Sequence, residues 1–292
     1  MPQCFHDRRR TSIRLDGLSN CLDVFVRGAK IVKVLAPGCG KMQRMHLRRI
    51  HPRIPGEPAE QIVLDELMRC PYLPGKIARL PLRLPLRRLR RNELAARLAA
   101  GDRRQGVLLY RPSCPACMAC EAIRLDVGEY RVTRTQQRVL NRGDAMLTTA
   151  VDAPTPSAEK VALYNRHKIE RRLLTSDGLI DHAGYEQFLV NTCADTLEFT
   201  FHHRGALVGV AIADRAADAL SAVYCFYDPA YARFSPGAYS ILKQLELCRV
   251  WNLRYLYLGL YIADCRAMAY KARYLPHERL IGGEWVKFER AS

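Results

Sequence analysis

The sequence predicts an α/β (α+β) protein in two main parts: a small cysteine-containing N-terminal domain, and a larger domain built on a mixed twisted sheet. Three observations carry this. Segments with helical period alternate with strand-like segments along the chain. The run LRYLYLGLYI at 253–262 is apolar apart from Arg254 near its start, as a strand buried on both faces requires. At 292 residues the chain suits two domains of ~100 to 200 residues each, and the proline-broken stretch VDAPTPSAEK at 151–160 places the boundary near residue 150.

The first sixty residues differ from the rest, with 12 Lys+Arg against 5 acids. CLDVFVRGAKIVKVLAPG reads as a short hairpin, and RIHPRIPGEPAEQ, with three prolines in thirteen residues, breaks any element. A basic arm for RNA is one reading. A flexible tail is another, and so is an upstream extension before a true start at Met42, Met45 or Met68.

Residues 61–150 make the first domain, opened by QIVLDELMRCPYLPGK. The period from Leu86 to Ala100 is helical, with NELAARLAA a good helix former and Gly101 its C-cap. GVLLYRP reads as a strand, EAIRLDVGEY as a second one alternating at Ile123, Leu125 and Val127, and RTQQRVLNRGD as a short basic helix. In the second domain, 151–292, VALYNRHKIERRLL and GYEQFLVNT read as helices. LEFTFHHRGALVGVAIADRA reads as two strands turning at Arg204-Gly205, and LSAVYCFYDP as a third. SPGAYSILKQLELCRVWN is a helix with its apolar positions at helical spacing, and ADCRAMAYKARY a short one. HERLIGGEWVKFE closes the chain as a hairpin turning at Gly282-Gly283. No internal repeat is visible.

Composition narrows the class. Apolar residues make up 49% of the chain, enough for ordinary cores, and 46 Lys+Arg over 29 Asp+Glu give a net charge of +17. Such a surplus favours a polyanionic partner through counterion release and steering. No apolar run of 18 or more residues, secretory h-region or lipidation motif is present, which points away from a membrane and to the cytoplasm. Eleven cysteines, several inside apolar runs, suit reduced thiols better than a secreted disulfide framework.

YDPAYARFSPGAYSILK carries a polar, glycine-containing turn into a helix start, where free backbone N–H groups bind an anion or carbonyl. The unit from Leu220 to Ile262 resembles the core of the GNAT-type acyltransferases, which implies flanking strands that splay to admit an amine. The segment from Arg233 to Ala238 matches their phosphate loop only in part, since Pro236 removes one amide donor. From Cys70 onward the chain more specifically resembles the aminoacyl-tRNA–protein transferases of the arginyl/leucyl type. The matching pieces are CPYLPGK, LLYRPSCPACMACEAIRL, YRVTRTQQRVLNR and the long run from AVYCFYDP to GGEWVKF, in the family's order. The cysteine triplet CPxCxAC has the form of the bacterial leucyltransferases. The resemblance implies transfer of an amino acid, leucine first, from aminoacyl-tRNA to proteins beginning with Asp or Glu, which marks them for degradation in the N-degron pathway.

An aminoacyl ester is already activated, so transfer requires no cofactor. The enzyme must align the acceptor's α-amine with the ester carbonyl, stabilise the oxyanion and accept a proton. Tyr227 and Asp228 are expected near this centre, with Tyr239, Tyr257 and Tyr261 lining it; strand packing, and a turn before Pro229, are the plain alternatives. Lys271 and Arg273 in AYKAR are expected to grip the acceptor's carboxylate, with Arg134 a further candidate. The cluster Arg83, Arg87, Arg88, Arg90 and Arg91, with Arg131, Arg134, Arg138 and Arg142, supplies the expected phosphate contacts for tRNA. Cys114, Cys117 and Cys120, joined by Cys70, supply four thiolates. The resemblance implies an iron–sulfur cluster there, with zinc as the other metal reading; a redox pair and buried structural thiols stay open. Three other functions stay open as well: arginyl transfer by the same machinery, CoA-dependent N-acetyl transfer, and a non-catalytic RNA-binding module with a structural metal.

Overall fold

The computed structural model describes residues 56–174 and 178–290, preceded by four short strands whose side chains are not described. Strands β1 (Ser12–Ile13), β2 (Leu22–Val26) and β3 (Ala29–Lys33) pair antiparallel, β2 and β3 being the hairpin read from the sequence. The other expectations for residues 1–60, as RNA-binding arm, tail or extension, lie outside the described residues.

A five-stranded antiparallel sheet follows. It is built from β4 (Arg49–Ile50), β5 (Glu60–Leu64), β8 (Leu82–Pro85), β9 (Arg103–Gln105) and β10 (Leu108–Tyr110), in the order β4-β5-β8-β10-β9. Between β5 and β8 the chain makes a separate hairpin of β6 (Leu67–Arg69) and β7 (Ile77–Arg79). Helix α1 spans Arg91–Ala99, shorter than the period from Leu86 predicts. The Glu93 carboxylate accepts the Arg90 N–H at 2.6 Å and fixes the helix start there. Beneath α1 lies a buried charge network: Arg97 meets Glu57, Glu60 and Asp102, while Arg83 bonds Glu60 at 2.9 Å and Asp102 at 2.7 Å. So many buried charges persist only because they are mutually paired.

The larger sheet has eight strands, in the order β12-β13-β14-β15-β16-β11-β17-β18. They are β11 (Glu121–Asp126), β12 (Thr148–Asp152), β13 (Asp195–His203), β14 (Ala206–Arg215), β15 (Ala219–Tyr227), β16 (Tyr255–Tyr261), β17 (His277–Ile281) and β18 (Glu284–Phe288). The segment 61–150 thus contributes β11 and β12 to this sheet. Helices α2 (Arg134–Met146) and α5 (Pro236–Val250) cover one face, over Phe199, Phe201, Ala211 and Ala213. Helices α3 (Ala158–Glu170) and α4 (His182–Tyr185) cover the other, over Val210, Ile212 and Phe226. The alternation of β14 between these two cores is the period-two pattern of a strand. The single helix expected from GYEQFLVNT is α4 running into a π-helical turn, Glu186–Val190. A last short helix, α6 (Arg266–Ala269), follows β16 and continues as a 3₁₀ turn through Arg273.

Among the described residues, β15 and β16 are the one parallel pair of this mixed sheet, and they pair only at Ala219–Ser221 against Tyr255–Tyr257. Beyond that point each strand carries an extra residue. On β15, Ala213 faces Ala222 and Ile212 faces Tyr224, which bulges Val223. On β16, Arg124 faces Tyr257 and Ile123 faces Gly259, which bulges Leu258. A bulge bends its strand and increases its twist. Two at one level turn β15 and β16 apart.

Strand β9 locks the two sheets together. The Arg104 guanidinium is forked onto Asp214 of β14 at 2.6 and 2.9 Å, and Thr196 donates to the same carboxylate at 2.6 Å. Arg104 and Asp214 are both buried. Asp214→Asn leaves a buried guanidinium without its counter-charge and is expected to cost about 3–5 kcal/mol, read as a lowered midpoint in urea unfolding.

Candidate active site

Where β15 and β16 part, a cavity of about 190 Å³ opens between the two sheets. Its walls are Ala222, Val223 and Tyr224 of β15 and Leu258, Gly259 and Leu260 of β16, closed by Tyr72, Tyr110, Met68, Met268 and Phe188. Three cations line it: Arg104, which is forked onto Asp214, and Arg103 and Lys271, for which no carboxylate partner is seen among the described residues. Arg103 and Lys271 are buried, at 7% exposure each, and no carboxylate lines the cavity.

Arg103 donates to Ser221 Oγ at 3.0 Å and to the Ala222 carbonyl at 2.9 Å, occupying the edge that β15 leaves free as it departs from β16. Burial pushes this guanidinium below its usual value. Lys271 Nζ donates to the Leu260 carbonyl at 2.7 Å and to Met268 Sδ at 3.3 Å. Burial, then the charge of Arg103, pushes Lys271 down to about 7. Gly259 separates the two: its φ is +91°, and a Cβ there would stand 3.3 Å from both Arg103 Nη2 and Lys271 Nζ. Only glycine adopts this conformation without strain and leaves room for both cations.

The opposite face of the parting ends at Tyr227. Its hydroxyl accepts from Arg171 Nη1 at 2.6 Å, and His167 Nδ1 lies 2.9 Å from its carbonyl oxygen and 3.1 Å from its backbone nitrogen. Burial lowers His167 from its ordinary value. Next to it, Asp228 accepts from the Ala230 N–H at 3.0 Å, capping the turn, and from Arg166 Nη1 at 2.8 Å. Gly237 in the first turn of α5 lies against the Tyr227 ring.

A buried cationic pocket between parted strands is the expected architecture for an amine-acylating enzyme. Sequence comparison decides the lineage. The arginine-tRNA-protein transferase C terminus matches residues 159–281, and the N terminus of the same family matches residues 68–138. An aspartate/glutamate leucyltransferase of Thiobacillus denitrificans is 38% identical over 245 residues, covering 82% of this chain and 100% of the relative. One from Chromobacterium violaceum is 39% identical over 220 residues, covering 74% and 89%. The chain belongs to the arginyl/leucyl-tRNA–protein transferase family. Among solved structures it is similar to FemX (TM-score 0.40, 9% identity, 75% of this chain and 80% of that one). It is also similar to a tandem GNAT protein from the clavulanic acid biosynthesis pathway (TM-score 0.36, 15% identity, 78% and 64%).

Within this transferase the residues singled out from sequence separate. Lys271 lines the pocket, whereas Arg273 is exposed and does not share it. Tyr227 and Asp228 sit together at the far end of β15. Tyr239 is buried between α2 and α5, its hydroxyl 3.1 Å from Thr149 Oγ1 and 2.9 Å from Asp144, and its ring lies so close to Gly143 that a Cβ there would collide. Burial pushes Tyr239 up to about 12. Tyr257 donates nothing to the cavity: its hydroxyl accepts from Arg124, which is stacked over Tyr255 at 3.8 Å and Trp285 at 3.9 Å. Tyr261 packs under Arg279.

The arginine cluster mostly braces α1: Arg87 is forked onto Glu93, Arg88 bonds the Ala194 carbonyl, Arg91 pairs with Asp195, and Arg90 is the α1 cap. Arg131, Arg134, Arg138 and Arg142 are exposed at and along α2. Arg103 and Arg104 escaped the sequence reading, the only signal being two adjacent arginines after a Gly-Asp turn and before an apolar strand. The isolated glycine in LYLGLY was a clearer sign of a bulge.

Cys70, Cys114, Cys117 and Cys120 are half-buried on one side of the molecule. Burial pushes Cys120 up to about 12, with further contributions from Cys114, Cys70, Cys117 and Cys265, so the thiols share a neighbourhood. Four thiols suit zinc or an iron–sulfur cluster by donor type. Their arrangement does not close a ligand set, for among the described residues no three His, Cys, Asp or Glu side chains are grouped to hold a metal ion. Also among the described residues, no helix is long and apolar enough to cross a membrane.

Gly259→Ala forces a side chain into a positive-φ position against two cations. It is expected to cost about 1–3 kcal/mol in chemical unfolding and to narrow the pocket, which a raised KM for the acceptor would report.

Proposed function

We propose that the protein transfers leucine from leucyl-tRNA to the α-amine of proteins that begin with Asp or Glu, acting in the cytoplasm in the N-degron pathway of protein degradation. The observation that carries this reading is the cavity at the parting of β15 and β16: no carboxylate lines it, and of its three buried cations only Arg104 has an acidic partner among the described residues, Asp214. A cavity of that kind is stabilised by an incoming anion, and a bidentate arginine is well matched to a carboxylate. Its other walls are apolar and exclude water, which strengthens the charge pairing.

The acceptor's side chain enters this pocket, so its α-amine stands at the gap between the strands. The aminoacyl ester approaches from the opposite face, past Tyr227 and the first turn of α5, with the tRNA backbone on the exposed arginines of α2. Holding amine and ester carbonyl about 3–3.5 Å apart supplies much of the rate, and the backbone N–H groups at the bulges stabilise the oxyanion. No step in this chemistry passes through the thiol cluster. Arginyl transfer needs only a different pocket for the donated side chain; leucine is preferred because the curated relatives described above are named leucyltransferases.

The test is a transfer assay with charged Leu-tRNA or Arg-tRNA and peptides beginning with Asp, Glu or Ala, read by mass spectrometry. Leucine added to the acidic peptides alone is expected. Arginine addition would change the donor, and addition from neither tRNA would end the reading.

A further inference from the structure

Arg103 and Lys271 are not equivalent cations. Arg103 keeps its proton under all ordinary conditions and presents a flat fork to a carboxylate. Lys271 is a primary amine already bonded to the Leu260 carbonyl and Met268 Sδ. A neutral amine has two hydrogens and one lone pair. Those two acceptors take the two hydrogens and leave the lone pair for the cavity that Lys271 lines. Among the described residues no carboxylate is seen to pair with Lys271, and Arg103 beside it opposes a second positive charge.

The spacing fits an acidic N-terminal residue. Arg103 Nη2 and Lys271 Nζ each lie 3.3 Å from one point beside Gly259, so a side-chain carboxylate on the first and an α-amine on the second are within the reach of one Asp or Glu.

We propose that Lys271 is the base that takes the proton from the attacking α-amine, while Arg103 grips the acceptor's carboxylate. This deepens the acceptor-pocket reading and rests on it. The amine nitrogen bonds to the ester carbonyl carbon and its surplus proton moves to Lys271 Nζ. The bond from that carbon to the terminal ribose oxygen breaks, and the oxygen takes the proton back from Nζ. The products are an amide and a free ribose hydroxyl, with the lysine neutral again. Because burial and Arg103 bring Lys271 down to about 7, it is ready to accept a proton at neutral pH, where a base is most effective. The charged and titratable groups that face it are Arg103, Cys265, Tyr72, Tyr110 and Tyr224, with Arg104 behind and paired to Asp214.

The two roles for Lys271 give opposite pH dependences. A base works in its neutral form, so kcat rises with pH and levels off above about 7. A carboxylate grip works in its charged form, so KM rises over the same interval instead. The experiment measures transfer of leucine to an Asp peptide from pH 5.5 to 9 for the wild type, Lys271→Met, Lys271→Arg and Cys265→Ser. Expected are a drop of about 10²–10⁴-fold in kcat for both lysine variants, loss of the ascending limb, and a KM close to wild type, which also shows that the pocket is folded. Cys265→Ser is expected to keep the limb. The proposal is overturned if Lys271→Arg keeps kcat, if Lys271→Met raises KM alone, or if the limb survives in Lys271→Met. Absence of transfer by the wild type at any pH would instead overturn the reading of the overall reaction.

Discussion

Everything at the candidate site follows from one backbone event, the parting of β15 and β16. A parallel pair would normally stay bonded along its length. Here Val223 and Leu258 each add a residue at the same level, and the strands turn away after three paired residues on each. The gap would expose unpaired backbone groups, which are costly when buried. Arg103 meets part of that need by donating to the Ala222 carbonyl. It reaches there because Arg104, the next residue, is anchored on Asp214. The small sheet therefore completes the large one, and the cavity lies at their junction.

The charge pattern of the molecule then divides into two kinds. Beneath α1, three carboxylates are paired with Arg83 and Arg97, Arg111 adding a contact to Asp102 at 3.5 Å, and the network holds the small sheet in place. In the cavity Arg103 and Lys271 lack that compensation. Burial pushes both down, Lys271 to about 7. Structural ion networks elsewhere in the chain show that arginines here are readily paired when pairing is their task, which sets Arg103 apart.

Most elements were legible in the sequence because their signals are local: alternation in β13 and β14, the continuous apolar run of β16, and the Gly282-Gly283 turn. The start of α1 was misplaced because periodicity ran back through residues 86–90, a non-helical link held by tertiary bonds: the Leu86 N–H donates to the Ala59 carbonyl and the Leu89 N–H to the Cys193 carbonyl. The π-helical turn after α4 has no local signature. Residue 150 looks like a boundary in sequence, yet β11 crosses to the large sheet between β16 and β17, a long-range pairing that local composition does not encode.

The site was legible in its chemistry and only partly in its members. Lys271 was found because a cationic residue was sought in a matched motif, but its expected companion Arg273 lies one side-chain direction away on a 3₁₀ turn, in solvent. Tyr239 and Tyr257 do not line the cavity; their hydroxyls bond Asp144 and Arg124. Arg103 was missed because its partner strand is more than a hundred residues away. The most direct measurement of the account is the ratio of kcat/KM for a peptide beginning with Asp to that for its Asn counterpart, in the wild type and in Arg103→Met. The account predicts a large ratio that collapses towards one in the variant, through loss of the Asp substrate alone. A ratio unchanged by the substitution would place recognition of the acidic side chain somewhere other than this pocket.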